Sequence, residues 1–289
     1  MISVTRARLG FVAMLAVAGT FGTREAAIAQ GAAGTVKLAP HIAIYDLTLT
    51  SSRGKRALES VRGRIVYDFS GSACEGYALN FRQVTELDSG EGKVALSDLR
   101  TATWEEGEGK SFRFKSQNYM DRNQIGDVDG RADRGKASVA VKLNKPEDKK
   151  FDAGPVVFPT EHMRLLIEAA QAGKTLLEVA VFDGSESGEK IYQSLSVIGR
   201  RIEPEKKPQD AAADKDSLAG LARWPVTISY FDKTEKKAED QPSEQTPIYA
   251  ITFEMYENGI SRALRLDYGD FVIDGKMSSL EVKQASACK

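Results

Sequence analysis

Polar and apolar residues alternate through most of this chain. In "HIAIYDLTLT" (residues 41–50) Ala43, Tyr45, Leu47 and Leu49 fall on one face; Val61, Ile65, Tyr67 and Phe69 do so in "VRGRIVYDF", and Tyr77, Leu79 and Phe81 in "YALNF". A period of two marks a β-strand with one face buried. The alternation recurs in "SFRF", "SVAVKL", "TLLEVAVF", "KIYQSLSVI", "VTISYF", "IYAITFEMY", "RALRLDY" and "FVIDGKMSSLEV", with turn signals such as "DSGEG", "FDGSESG", "ENG" and "DG" between them. About twelve or more short strands at regular spacing predict a mainly β fold: an antiparallel barrel, a sandwich or a strongly curled sheet.

One stretch has a different period. In "FPTEHMRLLIEAAQAG" the apolar residues Met163, Leu166, Ile167 and Ala170 recur at i, i+3, i+4 and i+7, with Thr160 placed as N-cap and Gly173 just past the end. This predicts one amphipathic helix whose stripe covers an open end or groove of the β structure. Residues 203–222 and 233–246 are polar, charged and without period. They are expected to be solvated loops between strands, too poor in apolar surface to repay ordering.

Ahead of the first strand, Arg6 and Arg8 precede the apolar run "LGFVAMLAVAG", and small residues follow, ending in "AAIAQ". That order describes a secretory signal peptide over residues 1–29, cleaved after Ala29, which leaves 30–289 exported and able to form one large β domain or two small ones. A spanning helix needs about 20 apolar residues, and Gly19, Thr20, Gly22 and Arg24 interrupt this run. Removing Arg6, Arg8, Arg24 and Glu25 takes the formal charge from −1 to −3. With no basic excess, neither nucleic acid nor an anionic membrane surface is an expected partner.

Export changes the meaning of the two cysteines, Cys74 and Cys288. In an oxidising compartment two thiols usually pair, and a bridge closing 214 residues (288 minus 74) stabilises by about 5 kcal/mol in the chain-entropy picture. A redox pair is expected closer together, as Cys-x-x-Cys. Zinc needs about four ligands, and His41 and His162 supply no ligand spacing.

Catalytic signatures fail on spacing, and no cofactor is expected. "GSESG" (184–188) has Glu186 where a nucleophile elbow needs serine, and it lacks the glycine spacing and lysine of a P-loop. It is expected to be a hairpin turn. "GDVDGRAD" gathers Asp127, Asp129 and Asp133, yet Arg131, Ala132 and Ser138 stand where a calcium loop needs a ligand, glycine and glutamate. A polar turn between strands is expected there. His162 lies in the first helical turn, where the helix dipole disfavours imidazolium, so a neutral structural role is expected. A hydrolase would require a serine or tyrosine to meet His41 or His162 in space.

The stretches "LAPHIAIYDLTL", "YDFSGSACEGYALNFRQ", "GPVVFPTEHMRLLIEAA", "VFDGSESGEKIYQSLSVIG" and "LDYGDFVIDGKMSSLEV" together resemble the EipB family, periplasmic cell-envelope integrity proteins of α-proteobacteria. The resemblance covers nearly all of the chain after residue 29. It implies a single curled antiparallel sheet, a β-spiral of about fourteen strands with one main helix, and a disulfide between Cys74 and Cys288. It also implies a non-enzymatic role in envelope integrity and stress resistance through protein contacts, with a periplasmic tetratricopeptide-repeat protein as partner. The family fold is distantly similar to periplasmic carriers of lipoproteins. The alternative expectation is therefore a lipid or lipoprotein carrier whose groove is lined by Met163, Leu166 and Ile167.

Overall fold

The computed structural model describes residues 36–53, 58–90, 92–233 and 246–284. The predicted signal peptide, most of the 233–246 loop and Cys288 lie outside the described residues. The elements in chain order are β1 (His41–Ser52), β2 (Ser60–Ser72), β3 (Gly76–Asp88), β4 (Val94–Glu105), β5 (Ser111–Met120), β6 (Asn123–Arg134), β7 (Val139–Lys145), β8 (Lys149–Asp152), α1 (Pro159–Gln171), β9 (Leu176–Val181), β10 (Tyr192–Ile198), β11 (Arg223–Asp232), β12 (Tyr249–Tyr256), β13 (Ser261–Asp267) and β14 (Phe271–Val282).

All fourteen strands form one antiparallel sheet in the order β8-β7-β6-β5-β4-β3-β2-β1-β14-β13-β12-β11-β10-β9. Consecutive strands are neighbours everywhere except between β8 and β9. The chain starts in the middle of the sheet at β1 and steps outward to β8. It then crosses through α1 to the opposite edge and steps back to β14, which pairs with β1. The sheet is curled and not closed. Its two edges approach through the segment leaving β8: Val139 N–H donates to Gly154 O at 3.0 Å, and Val157 N–H donates to Ala180 O of β9 at 2.8 Å. Phe182, just past β9, packs edge-on against Phe114 of β5 at 5.5 Å, and Lys149 of β8 pairs with Glu189.

The inner face is the alternating face read from sequence. Ala43, Tyr45, Leu47, Val61, Ile65, Phe69 and Tyr77 are all buried. Along α1, Leu166 and Ile167 are 1% and 0% exposed and pack with Phe69, Tyr77, Trp224 and Met255. The helix therefore lies against the concave side, between the β2–β3 and β11–β12 regions. Burying these two side chains contributes about 1.5–3 kcal/mol each. A second cluster joins β1 and β2 to β13 and β14, and a third gathers Phe112, Phe114, Phe158 and Phe182 around β5–β7.

Three local expectations are corrected. The helix begins at Pro159 with Phe158 as N-cap, so Thr160 is its second residue. Proline suits the first helical position, and a carboxylate from β4, described below, takes the N–H groups that a threonine cap would have served. At the other end Gly173 (φ +71°) donates to Ala170 O and Lys174 N–H to Ala169 O, a Schellman close that needs the left-handed glycine.

The stretch "GDVDGRAD" is not a turn but the centre of β6. Gly126, Val128, Gly130 and Ala132 alternate on one face, and the carboxylates take the other. Those carboxylates are engaged: Asp127 with Lys145 Nζ at 2.6 Å, Asp129 with Asn144 Nδ2 at 2.6 Å and Asp133 with Arg131 Nη2 at 2.7 Å.

Residues 203–222 are a loop, but one that enters the core. Ala213, Leu218 and Ala222 are at most 4% exposed, and Asp210 accepts Arg262 Nε at 3.1 Å, both side chains being buried. Three small or branched apolar residues and one buried ion pair supply the burial that the composition of the stretch conceals.

Candidate functional site

Beneath α1, the inner faces of β1–β3 and of β12–β13 enclose an apolar cavity of about 180 Å³, with a smaller space of about 50 Å³ beside it. Strand alternation places Ile65, Phe81, Ile251, Phe253 and Leu264 on the wall of the larger one. His41, Tyr67, Met163 and Gly259 line both. Gly259 has φ +85°, and a Cβ there would come within 2.7 Å of Leu38 Cδ2, so glycine is required for the close turn at this rim.

The polar groups here are neutral. The hydroxyl of Tyr45 donates to Ser261 O at 2.6 Å. Burial pushes the Tyr67 phenol up to about 12 and moves the His41 imidazole below its ordinary value. His41 Nδ1 lies 2.7 Å from Ala39 O, and its ring stacks on Tyr67 with centroids 5.5 Å apart. Among the described residues no Lys, Arg, Asp or Glu lines either space.

Of the residues that sequence placed at a groove, Met163 stands on the wall of both spaces, while Leu166 and Ile167 pack in the core beside them. Cys74 sits in the β2–β3 turn, and no cysteine among the described residues is free.

The spatial condition for a hydrolase is met in part, and the chemistry fails. Ser194 Oγ of β10 lies 3.4 Å from His162 Nε2, but its own proton goes to Val179 O at 3.0 Å. A hydroxyl has one proton to give, so the imidazole donates to the serine and cannot act as its base. Both residues are buried and neither lines the cavity. Burial alone brings the His162 pKa down to about 4.

Sequence reasoning missed Glu105. From the end of β4, its Oε2 accepts Thr160 N–H at 2.7 Å and its Oε1 accepts Glu161 N–H at 2.8 Å, capping α1 from a distant strand. Glu161 itself accepts Arg134 Nη2 at 2.5 Å, and the Arg134 guanidinium lies 5.0 Å from the Phe158 ring centre. The run "WEEGEGK" gives no sign which carboxylate turns inward. The strand register does, by pairing Glu105 with the buried Tyr77.

An open antiparallel sheet curled over an apolar interior, with one helix laid across it, makes this a β-barrel-like protein. Its sequence is more specific: the profile of the EipB-like family matches residues 32–284, and the chain belongs to that family. It is 39% identical over 254 residues to the cell envelope integrity protein EipB of Brucella abortus (strain 2308), covering 88% of this chain and 88% of that protein. It also superposes with a TM-score of 0.78, at 38% identity, on the crystal structure of a β-barrel-like protein of the domain of unknown function DUF1849 from Brucella abortus, covering 86% of this chain and 100% of that one. Among the described residues no helix is long and apolar enough to cross a membrane.

Proposed function

We propose that this chain is an exported, non-catalytic protein of the periplasm that supports cell-envelope integrity by holding the apolar part of an envelope component beneath α1. The cavity carries this reading. Its volume, about 180 Å³, exceeds the ~150 Å³ that suffices for a benzene-sized guest and lies below the ~300–1,000 Å³ of drug-sized pockets. It therefore suits a short aliphatic run or a single ring rather than a whole lipid. The name of the Brucella relative and the composition of residues 1–29 support export and an envelope role.

Mass spectrometry of solvent extracts from the natively purified protein tests the cavity. Acyl-bearing material is expected from the parent and lost from Met163→Trp, which fills the space. An empty parent rejects this reading.

We further propose that Cys74 and Cys288 are bridged. β2 and β14 run parallel on either side of β1, and His41 pairs with both Phe69 and Val282. Five residues lead from Phe69 to Cys74 and six from Val282 to Cys288, toward the same end of the sheet. Six residues reach up to about 20 Å, against the ~10 Å of two strand spacings. Peptide mapping without reductant should recover the linked pair, and two alkylated thiols would reject it.

A second reading, support through protein contacts, is favoured by the free edge of β9. Val157 covers only its end, at Ala180 and Phe182. Exposed Leu176, Leu195 and Val197 lie beside the uncovered part. An extended segment of a partner, such as a periplasmic tetratricopeptide-repeat protein, would pair there as an added strand. Crosslinked capture that is lost in Leu176→Asp supports this reading, and capture unaffected by that change removes it.

A further inference from the structure

The chemistry of the cavity narrows what it accepts, and this inference rests on the cavity being a binding site. Its wall is mainly apolar; besides the stacked His41 and Tyr67 it carries the uncharged polar residues Tyr45, Gln83, Tyr249 and Ser261. His41 is 3% exposed. A carbonyl oxygen can only accept, so the contact with Ala39 O puts the imidazole proton on Nδ1 and leaves Nε2 as a bare acceptor. Among the described residues nothing hydrogen-bonds Nε2 or the Tyr67 hydroxyl. Both rings line both spaces. A guest that displaces water from this acceptor and offers no donor in its place costs about 1–3 kcal/mol, so one that supplies the donor is favoured over one that does not.

The sign and number of the polar groups decide between guests. An alkane leaves Nε2 unpaired. A carboxylate brings a charge into a space whose wall holds no cation, and its desolvation goes uncompensated. A hydroxyl donates one proton and has lone pairs for a second neighbour, which matches an acceptor beside a phenol. Burial holds His41 below its ordinary pKa and so keeps the acceptor neutral, although Asp68 acts in the opposite sense to Lys283 nearby.

We propose that the cavity selects a neutral aliphatic chain bearing a hydroxyl group, whose O–H donates to Nε2 of His41 with the Tyr67 hydroxyl as its second polar neighbour. Met163 and the apolar residues of β12 and β13 surround the hydrocarbon part, and the hydroxyl sits against β1 and β2.

The test compares 1-hexanol, hexane and hexanoate at pH 8, followed by the 13C-methyl NMR signal of Met163 in the purified protein. The expected order is hexanol tightest, about tenfold or more over hexane, which is the effect of one unpaired buried acceptor, with hexanoate weakest. In His41→Phe the advantage of hexanol over hexane should vanish while hexane still binds. Tyr67→Phe, which keeps the ring and removes only the hydroxyl, should reduce that advantage and gives a second measure should the histidine variant fold poorly. Equal binding of hexanol and hexane by the parent, or hexanoate as tight as hexanol, overturns the hydroxyl preference and leaves the cavity a binding site. If none of the three binds, the binding site itself is rejected.

Discussion

Glu105 on β4 caps a helix that begins more than fifty residues later: its two carboxylate oxygens accept the backbone N–H groups of Thr160 and Glu161. The interaction fixes the end of α1 nearest the cavity, since Met163 is one turn away. Burial pushes the carboxyl up to about 7, and the two backbone hydrogen bonds pull the other way.

The raised pKa makes stability depend on pH. In the unfolded chain Glu105 ionises near its ordinary value of 4.5, in the folded one near 7. Its contribution is complete below pH 4.5 and is lost as pH rises through 7, about 3 kcal/mol in all. Glu105→Gln should abolish this slope in urea unfolding measured from pH 4.5 to 8. Glu105→Ala removes both acceptors and should cost about 1–2 kcal/mol at pH 5, the worth of a helix cap.

His162, a neighbour along the same helix, has the opposite slope. Its folded pKa is about 4 against 6.5, so its stability is fully present above pH 6.5 and is lost as pH falls through 4, again about 3 kcal/mol. The parent should therefore be nearly flat between pH 4.5 and 6.5 where the two offset. Glu105→Gln alone should leave stability rising with pH in that window, and His162→Gln alone should leave it falling.

Arg262 is held by Glu254 at 2.5 Å and by Asp210 at 3.1 Å, and Glu254 also accepts Arg223 Nε at 2.6 Å. Burial pushes Glu254 up, and the two arginines outweigh it and hold the carboxyl below its ordinary value. Asp210→Ala leaves a buried guanidinium short of a partner and should cost about 3 kcal/mol. It should also free the 203–222 segment, so that trypsin cuts at Lys206 or Lys215 faster than in the parent.

Gly130 of β6 is a packing glycine. A Cβ there would meet Phe114 Cζ at 2.5 Å and Lys142 O at 2.9 Å. Gly130→Ala should lower stability by about 1–3 kcal/mol through overpacking. In a Phe114→Leu background the same change should cost less, and a double-mutant cycle reads the difference.

Elements with one clean face were legible from sequence. β1 and β10 bury one side most cleanly, and alternation exposes them. β4 escaped because both of its faces are mixed: Leu99, Thr101, Thr103 and Glu105 share one, Leu96, Asp98, Arg100 and Trp104 the other. In β6 the inward face has Gly126, Gly130 and Ala132 with Val128 as its one large apolar residue, and Gly130 lies close to Phe114, so the face carries little hydrophobic signal. β8 has four residues and no period to show. The helix stripe located the cavity through Met163, but the partners of that residue are contributed by strands on both sides of the sheet, and pairing between distant strands is not written in local periodicity.

The pairing of β1 with β14 sets the order of assembly. A chain delivered amino end first can complete its first eight strands as successive hairpins, yet one side of β1 keeps unpaired backbone groups until the final strand is made. The newest residues must find the oldest in the middle of the sheet. Loss of residues 271–289 would split the molecule at its centre instead of trimming a margin, and until they arrive the nascent protein carries an adhesive seam for which a chaperone is the natural guard.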